Sequence, residues 1–228
     1  MARRPRLLLH IGLRRMSVAH LVAALTAMFV VLPFVDQLAY GHFVESAVFT
    51  VVLLAGVSAV GGTRRTLVVA ALLVAPALLT RWINHLWPGL VPPELNLLAA
   101  FVFVGFVIAH LFRFVMTAPT VDSEVLCAAI SVYLLLAVLW SFLYTLVAHF
   151  DPDAFAFTLD AERSRSMSGF TAIYFSFEAI TTIAFGDVMP VSNIARMLVL
   201  LEAVTGMFYM TIMIARLVSL YSSGQKSA

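Results

Sequence analysis

The residues of this chain that could do chemistry gather in one stretch, Thr181-Thr182-Ile183-Ala184-Phe185-Gly186-Asp187, with Met189-Pro190 close behind. The stretch lies between two apolar segments, residues 170–180 and 194–221. The first is too short to cross a bilayer, which takes roughly 20 residues, and the second is long enough. A short apolar helix, a polar non-helical stretch and a full crossing together make the pattern of a re-entrant segment. Irregular backbone at membrane depth is tolerated only where it is buried in protein or lines a water-filled path. The arrangement therefore points to a pore.

Thr-Thr-Ile-Ala-Phe-Gly-Asp resembles the selectivity-filter signature of the potassium channel family, Thr-x-Gly-Tyr-Gly-Asp. Tyr174, Phe175 and Glu178 stand on the preceding helix, where related bacterial channels carry an aromatic pair and often a glutamate. Gly206, twenty residues after Gly186, falls where the family's inner helix has its hinge glycine. The resemblance covers residues 123–221 and implies four chains around one axis, a homotetramer. Rings of backbone carbonyls would then replace the water around a potassium ion. Those of Thr182, Ile183, Ala184 and Phe185 would face the axis and hold the ion, Gly186 would complete the filter, and the Thr182 hydroxyl would close the innermost site. Tyr174, Phe175, Glu178 and Asp187 would support the filter. Two carboxyls meeting behind it, Glu178 and Asp187, cannot both ionise cheaply, so one would hold a shared proton. Tyr174 could donate to Asp187.

Two positions depart from the signature. Ala184 replaces its first glycine, where the family backbone turns left-handed, at about 1–2 kcal/mol per chain for a residue with a Cβ. The strand would keep that geometry or relax. Phe185 in place of tyrosine removes a bracing hydroxyl, and Phe175 offers no polar handle in return. The departures leave open a weakly selective cation channel, or a non-conducting channel-like membrane sensor, beside a potassium channel.

The elements that must position this stretch follow from composition. Hydrophobic residues make up 62% of the chain and charged residues 11%, with a mean hydropathy of +1.02, values of a polytopic membrane protein. The expected architecture is all-α. Six transmembrane helices cover residues 18–35, 44–60, 66–83, 95–116, 125–150 and 194–221, and a re-entrant pore helix over 169–181 and the filter loop lie between the fifth and sixth. Pro76 would kink the third helix. As domains, this gives a basic N-terminus over 1–17, four helices over 18–116, a pore domain over 117–221 and a tail over 222–228. Ser168 is the expected cap of the pore helix, whose C-terminal end carries roughly half a negative charge toward a cavity below the filter.

The basic start before residues 18–35 resembles a signal peptide, but that run is long for one and ends at Pro33 and Asp36. It reads as a retained helix. Positive charge sets the orientation. One side holds Arg3, Arg4, Arg6, Arg14, Arg15, Arg64, Arg65, Arg113, Arg216 and Lys226, and the other Arg81, Arg163, Arg165 and Arg196. Both termini are then cytoplasmic, in the inner (plasma) membrane, with Trp82 and Trp87 in an outer loop. Asp151, Asp153, Asp160 and Glu162 make that side acidic too, read as a solvated loop.

Glu202, one turn before Gly206 in an apolar helix, is a functional candidate because ionisable groups in membrane spans are costly. It would face the cavity or stabilise the base of the pore helix, with Thr181 as a candidate hydroxyl partner. Met207, Met210 and Ile214 are the candidate cavity lining, able to gate by dewetting. A voltage sensor needs several arginines along one helix, and the fourth helix has only Arg113, so steep voltage gating is not expected. The first four helices read as a lipid-facing collar or a receiver of membrane tension. The apolar segments leave no stretch for a ligand-sensing cytoplasmic domain. Cys127, the only cysteine, excludes an intrachain disulfide. His20, His85, His110 and His149 form no paired motif, which disfavours a haem or quinone enzyme. The expected partners are further copies of the chain, membrane lipid and potassium or other monovalent cations, with no cofactor beyond the filter ions, no enzyme activity and no nucleic acid.

Overall fold

The computed structural model describes residues 5–35, 40–87, 89–158 and 166–225, with side chains from 18 to 219. Six described helices are long and apolar enough to cross a membrane: α1 (Pro5–Val35), α2 (Gly41–Val60), α3 (Arg64–Leu86), α4 (Pro93–Thr117), α5 (Ser123–Phe150) and, last in the chain, α7 (Asn193–Gln225). The shorter α6 (Gly169–Ile180) has 12 residues. In lipid every backbone polar group must find its partner inside the segment, which is why Val- and Phe-rich runs such as that of α2 are helical here.

One compact unit comprises Met1–Val132 with Leu220–Ala228. Its interior follows from residue spacing. Val18, Leu21, Leu25, Met28, Leu32 and Val35 recur at alternating steps of three and four and are buried in one stripe of α1, and α1 packs on α2. Gly56 of α2 lies under Phe103 and Val107 of α4, where an added Cβ would stand 3.4 and 3.5 Å away, the close approach that small residues give membrane helices. Polar ties sit near the start of α2 and the end of α3. Arg81 pairs with Glu45 at 3.2 Å and lies 4.4 Å over the Phe49 ring. The Trp82 indole donates to the Thr50 hydroxyl. Trp82 is thus a residue of α3, not of a loop, and Phe43 and His85 both pack edgewise on its ring. Trp87 is the C-cap of the same helix.

The other unit, Tyr133–Ser219, holds the chemistry-bearing stretch. Its core is a cluster of Tyr144, Ala154, Phe155, Met167, Ala172, Phe175, Val188 and Ala195. The rings of Tyr144, Phe155 and Phe175 meet edge to face at centroid distances of 5.0–5.8 Å. One short ribbon accompanies the helices. Strands β1 (Phe155–Phe157) and β2 (Val188–Pro190) pair antiparallel, with Ala156 opposite Met189. Three-residue strands are too short to show an alternating pattern in sequence.

Arg3, Arg4, Arg6, Arg14, Arg15, Asp36, Asp160, Glu162, Arg163, Arg165 and Lys226 carried expectations that fall outside the described backbone or side chains.

Candidate functional site

The site grows from the end of α6. A helix leaves its last four carbonyls without intrahelical partners, and here each finds one. The Phe177, Glu178 and Ala179 carbonyls accept the amides of Thr181, Ile183 and Thr182 at 3.0–3.1 Å. The Ile180 carbonyl accepts the Tyr133 hydroxyl of α5 at 3.4 Å. The chain therefore leaves α6 by folding its next amides back onto it, one residue earlier than the expected end at Thr181. At the other end Ser168 is the N-cap by position, but its side chain makes no capping bond; its hydroxyl is taken by Ser166 at 2.7 Å.

Beyond α6 the backbone alternates. Thr182 has φ +59°, Ala184 φ +48° and Gly186 φ +80°, whereas Ile183 and Phe185 between them are not in the positive range. Ala184 thus keeps the left-handed turn rather than relaxing. Thr182 does so as well, which its sequence did not reveal: a positive φ at a β-branched residue is a genuine outlier. Such outliers persist only where their surroundings over-determine them.

The surroundings are visible on both flanks. Tyr174 stacks nearly parallel to Phe185, with 6.4 Å between centroids. Its hydroxyl interacts with both the Glu178 and the Asp187 carboxyls, and burial and these two groups raise its pKa. The expected trio is therefore assembled. Glu178 is buried, and one of its oxygens has no hydrogen-bond partner. Burial raises its pKa, and Asp187 adds to this by charge and hydrogen bonding, opposed by the Tyr174 hydroxyl. Phe175, by contrast, packs on Tyr144 and Phe155, so within the chain it braces α6 and not Phe185.

On the exit side Thr158, which follows β1, donates its hydroxyl to the Gly186 carbonyl at 2.9 Å, and its amide donates to the Asp187 carbonyl at 2.9 Å. Thr158 carried no signal in sequence. Thr158→Val keeps the amide bond and loses the hydroxyl, at about 1 kcal/mol per chain. The expected result is a small fall in thermal midpoint with the fold intact. An unchanged midpoint would mean that the Gly186 carbonyl does not depend on this bond.

Glu202 is fully buried, which excludes the first of its two expected places, the face of a cavity. The Tyr144 hydroxyl donates to its Oε2, and its Oε1 meets the Ser176 hydroxyl. Its partner on α6 is therefore Ser176 rather than Thr181, whose hydroxyl turns to the Phe177 carbonyl. Neither Tyr144 nor Ser176 was singled out in sequence, since a lone hydroxyl in an apolar helix has no distinguishing pattern. Gly206 is buried against Ile180, where an added Cβ would stand 2.6 Å from both the side chain and the carbonyl oxygen. The helix runs through it unbroken, so its small size serves close approach. Met207, Met210 and Ile214 are exposed on the single chain.

With this geometry in place, residues 124–223 match the family model described as "Ion channel". A calcium-gated potassium channel of Thermoplasma volcanium is 51% identical over 37 residues, a match covering 16% of this chain and 11% of that protein. Over residues 124–223 the chain is therefore similar to ion channels, and over 37 residues to a potassium channel. The matched segment contains α5, α6, the alternating stretch and α7 nearly whole. No solved structure matches the chain. Among the described residues no group of three or more His, Cys, Asp or Glu is placed to hold a metal ion.

Proposed function

We propose that the chain forms a homotetrameric channel for passive flux of monovalent cations, potassium first among them, through a filter made by residues 182–186. The supporting observation is the alternation in the sign of φ from Thr182 to Gly186. In an ordinary strand successive carbonyls point to opposite sides; alternating left- and right-handed residues turn them to one side. Four such strands around an axis give the stacked rings of oxygens that replace a cation's water. On this reading Thr182, Ile183, Ala184 and Phe185 supply the oxygens. The Gly186 carbonyl, held by Thr158, ends the stack. The α6 helix is the re-entrant pore helix, α7 is the inner helix, and Met207, Met210 and Ile214 line the cavity. The pore domain spans 117–221. Both termini are cytoplasmic, by the distribution of positive charge. The potassium assignment also draws on the name of the Thermoplasma relative.

The test is thallium or potassium flux into liposomes containing the purified protein. Flux blocked by crowding the cavity at Met210→Trp supports the reading. No flux under any pH, tension or lipid condition would favour a non-conducting sensor.

The Tyr174–Glu178–Asp187 trio sets how long the filter stays conductive. Because the pKa of Glu178 is raised, its protonated form is the one the fold favours. That contribution is full at low pH and is lost as pH climbs through the raised value. Glu178→Gln, neutral and of the same shape, is expected to hold steady current across that range, whereas Glu178→Ala is expected to shorten its duration. Indistinguishable current decay in both variants and wild type would remove the trio from the mechanism.

A further inference from the structure

Three oxygen contacts converge on Glu202 and its neighbour. The Tyr144 hydroxyl meets Oε2. The Ser176 hydroxyl lies 2.5 Å from Oε1 and 2.7 Å from the Ala137 carbonyl of α5. Each contact needs a proton, and a carbonyl can only accept. Tyr144 supplies one proton and Ser176 one. The third has one remaining source, the carboxyl itself.

We propose that Glu202 is a protonated carboxylic acid in the folded pore, and that its proton completes a clamp joining α5, α6 and α7. The chain of bonds runs in one direction. Tyr144 donates to Oε2, Oε1–H donates to Ser176, and Ser176 donates to the Ala137 carbonyl. Every oxygen is then satisfied. The ionised alternative would leave two acceptors 2.7 Å or less apart with no hydrogen between them. It would also bury a full negative charge without a cation, and an unpaired buried charge is among the costliest arrangements in a protein. From α5 the titratable groups near Glu202 are Tyr144 and Tyr133; from α6 the facing group is Ser176; and within a turn on α7 there is no other ionisable residue. Glu202 is thus a positioning residue for the pore helix, and its influence on conduction rests on the channel reading above.

The proposal is tested by infrared difference spectroscopy of the full chain in lipid, which needs no conduction. Subtracting Glu202→Gln from wild type at neutral pH is expected to isolate the carbonyl stretch of one protonated carboxyl per chain. The Gln amide can donate to Ser176 and accept from Tyr144, so the fold is expected to persist. Ser176→Ala, which removes the acceptor of the acid proton, is expected to move the same band to higher frequency. Raising the pH is expected to abolish the band and lower the thermal midpoint in wild type, and to leave the midpoint of Glu202→Gln unmoved. A difference spectrum containing only carboxylate stretches overturns the proposal, as does a band that ignores Ser176→Ala. A protonated band in a protein without flux would leave the clamp standing and remove the channel reading alone.

Discussion

Gly206→Ala is expected to abolish most ion flux. The new Cβ would lie 2.6 Å from both the Cγ1 and the carbonyl oxygen of Ile180. The Ile180 side chain can rotate away, but its carbonyl belongs to the last turn of α6 and also receives the Tyr133 hydroxyl. Either α6 or α7 must therefore shift, at about 1–3 kcal/mol for each chain, the usual cost of overpacking. An energy of that size changes an equilibrium between competent and displaced arrangements by about 5–150-fold. Gly105→Ala is the control: it lies in α4 with nothing within 4 Å of the added atom, and a helix interior prefers alanine to glycine by about 1 kcal/mol. Thallium flux and the thermal midpoint, measured on both variants, decide the matter. Equal flux from Gly206→Ala and wild type would show that α6 and α7 are not in contact in the conducting protein.

Ala184→Gly is expected to act in the opposite sense. Ala184 has φ +48°, a conformation that costs a residue with a Cβ about 1–2 kcal/mol. Glycine loses about 0.5–1 kcal/mol through its freer unfolded chain. The relief is the larger of the two. Because Ala184 is exposed in the single chain, removing its Cβ sacrifices no packing there. The thermal midpoint should rise, and reversal potentials in potassium and sodium gradients should move toward the potassium value. A lower midpoint with unmoved reversal potentials would mean that the strand does not hold this conformation in the membrane.

What could be read from sequence follows the length scale of each signal. The six crossings and α6 were legible because runs of apolar residues set them; their ends moved by only a few residues except at α1, which starts at Pro5 rather than Val18 because the arginine-rich stretch before the apolar run is helical too. The Tyr174–Glu178–Asp187 trio was legible because its members lie one turn apart or just across the alternating stretch. Tyr144 and Glu202, by contrast, are 58 residues apart on different helices, and nothing local pairs them. The ribbon of β1 and β2 was hidden by its brevity, and Thr158 with it. The positive φ of Thr182 ran against the steric preference of its own side chain. Only the path imposed by α6 on one side and Ala184 on the other makes it intelligible.

The contact at Gly206 has one more consequence, for how α7 can move. Successive residues on a helix are separated by about 100°, so the positions beside Gly206 present Thr205 and Met207. Spinning α7 about its long axis would drive one of those side chains into Ile180. The absence of a side chain at Gly206 therefore sets which face of α7 can lie against the end of α6.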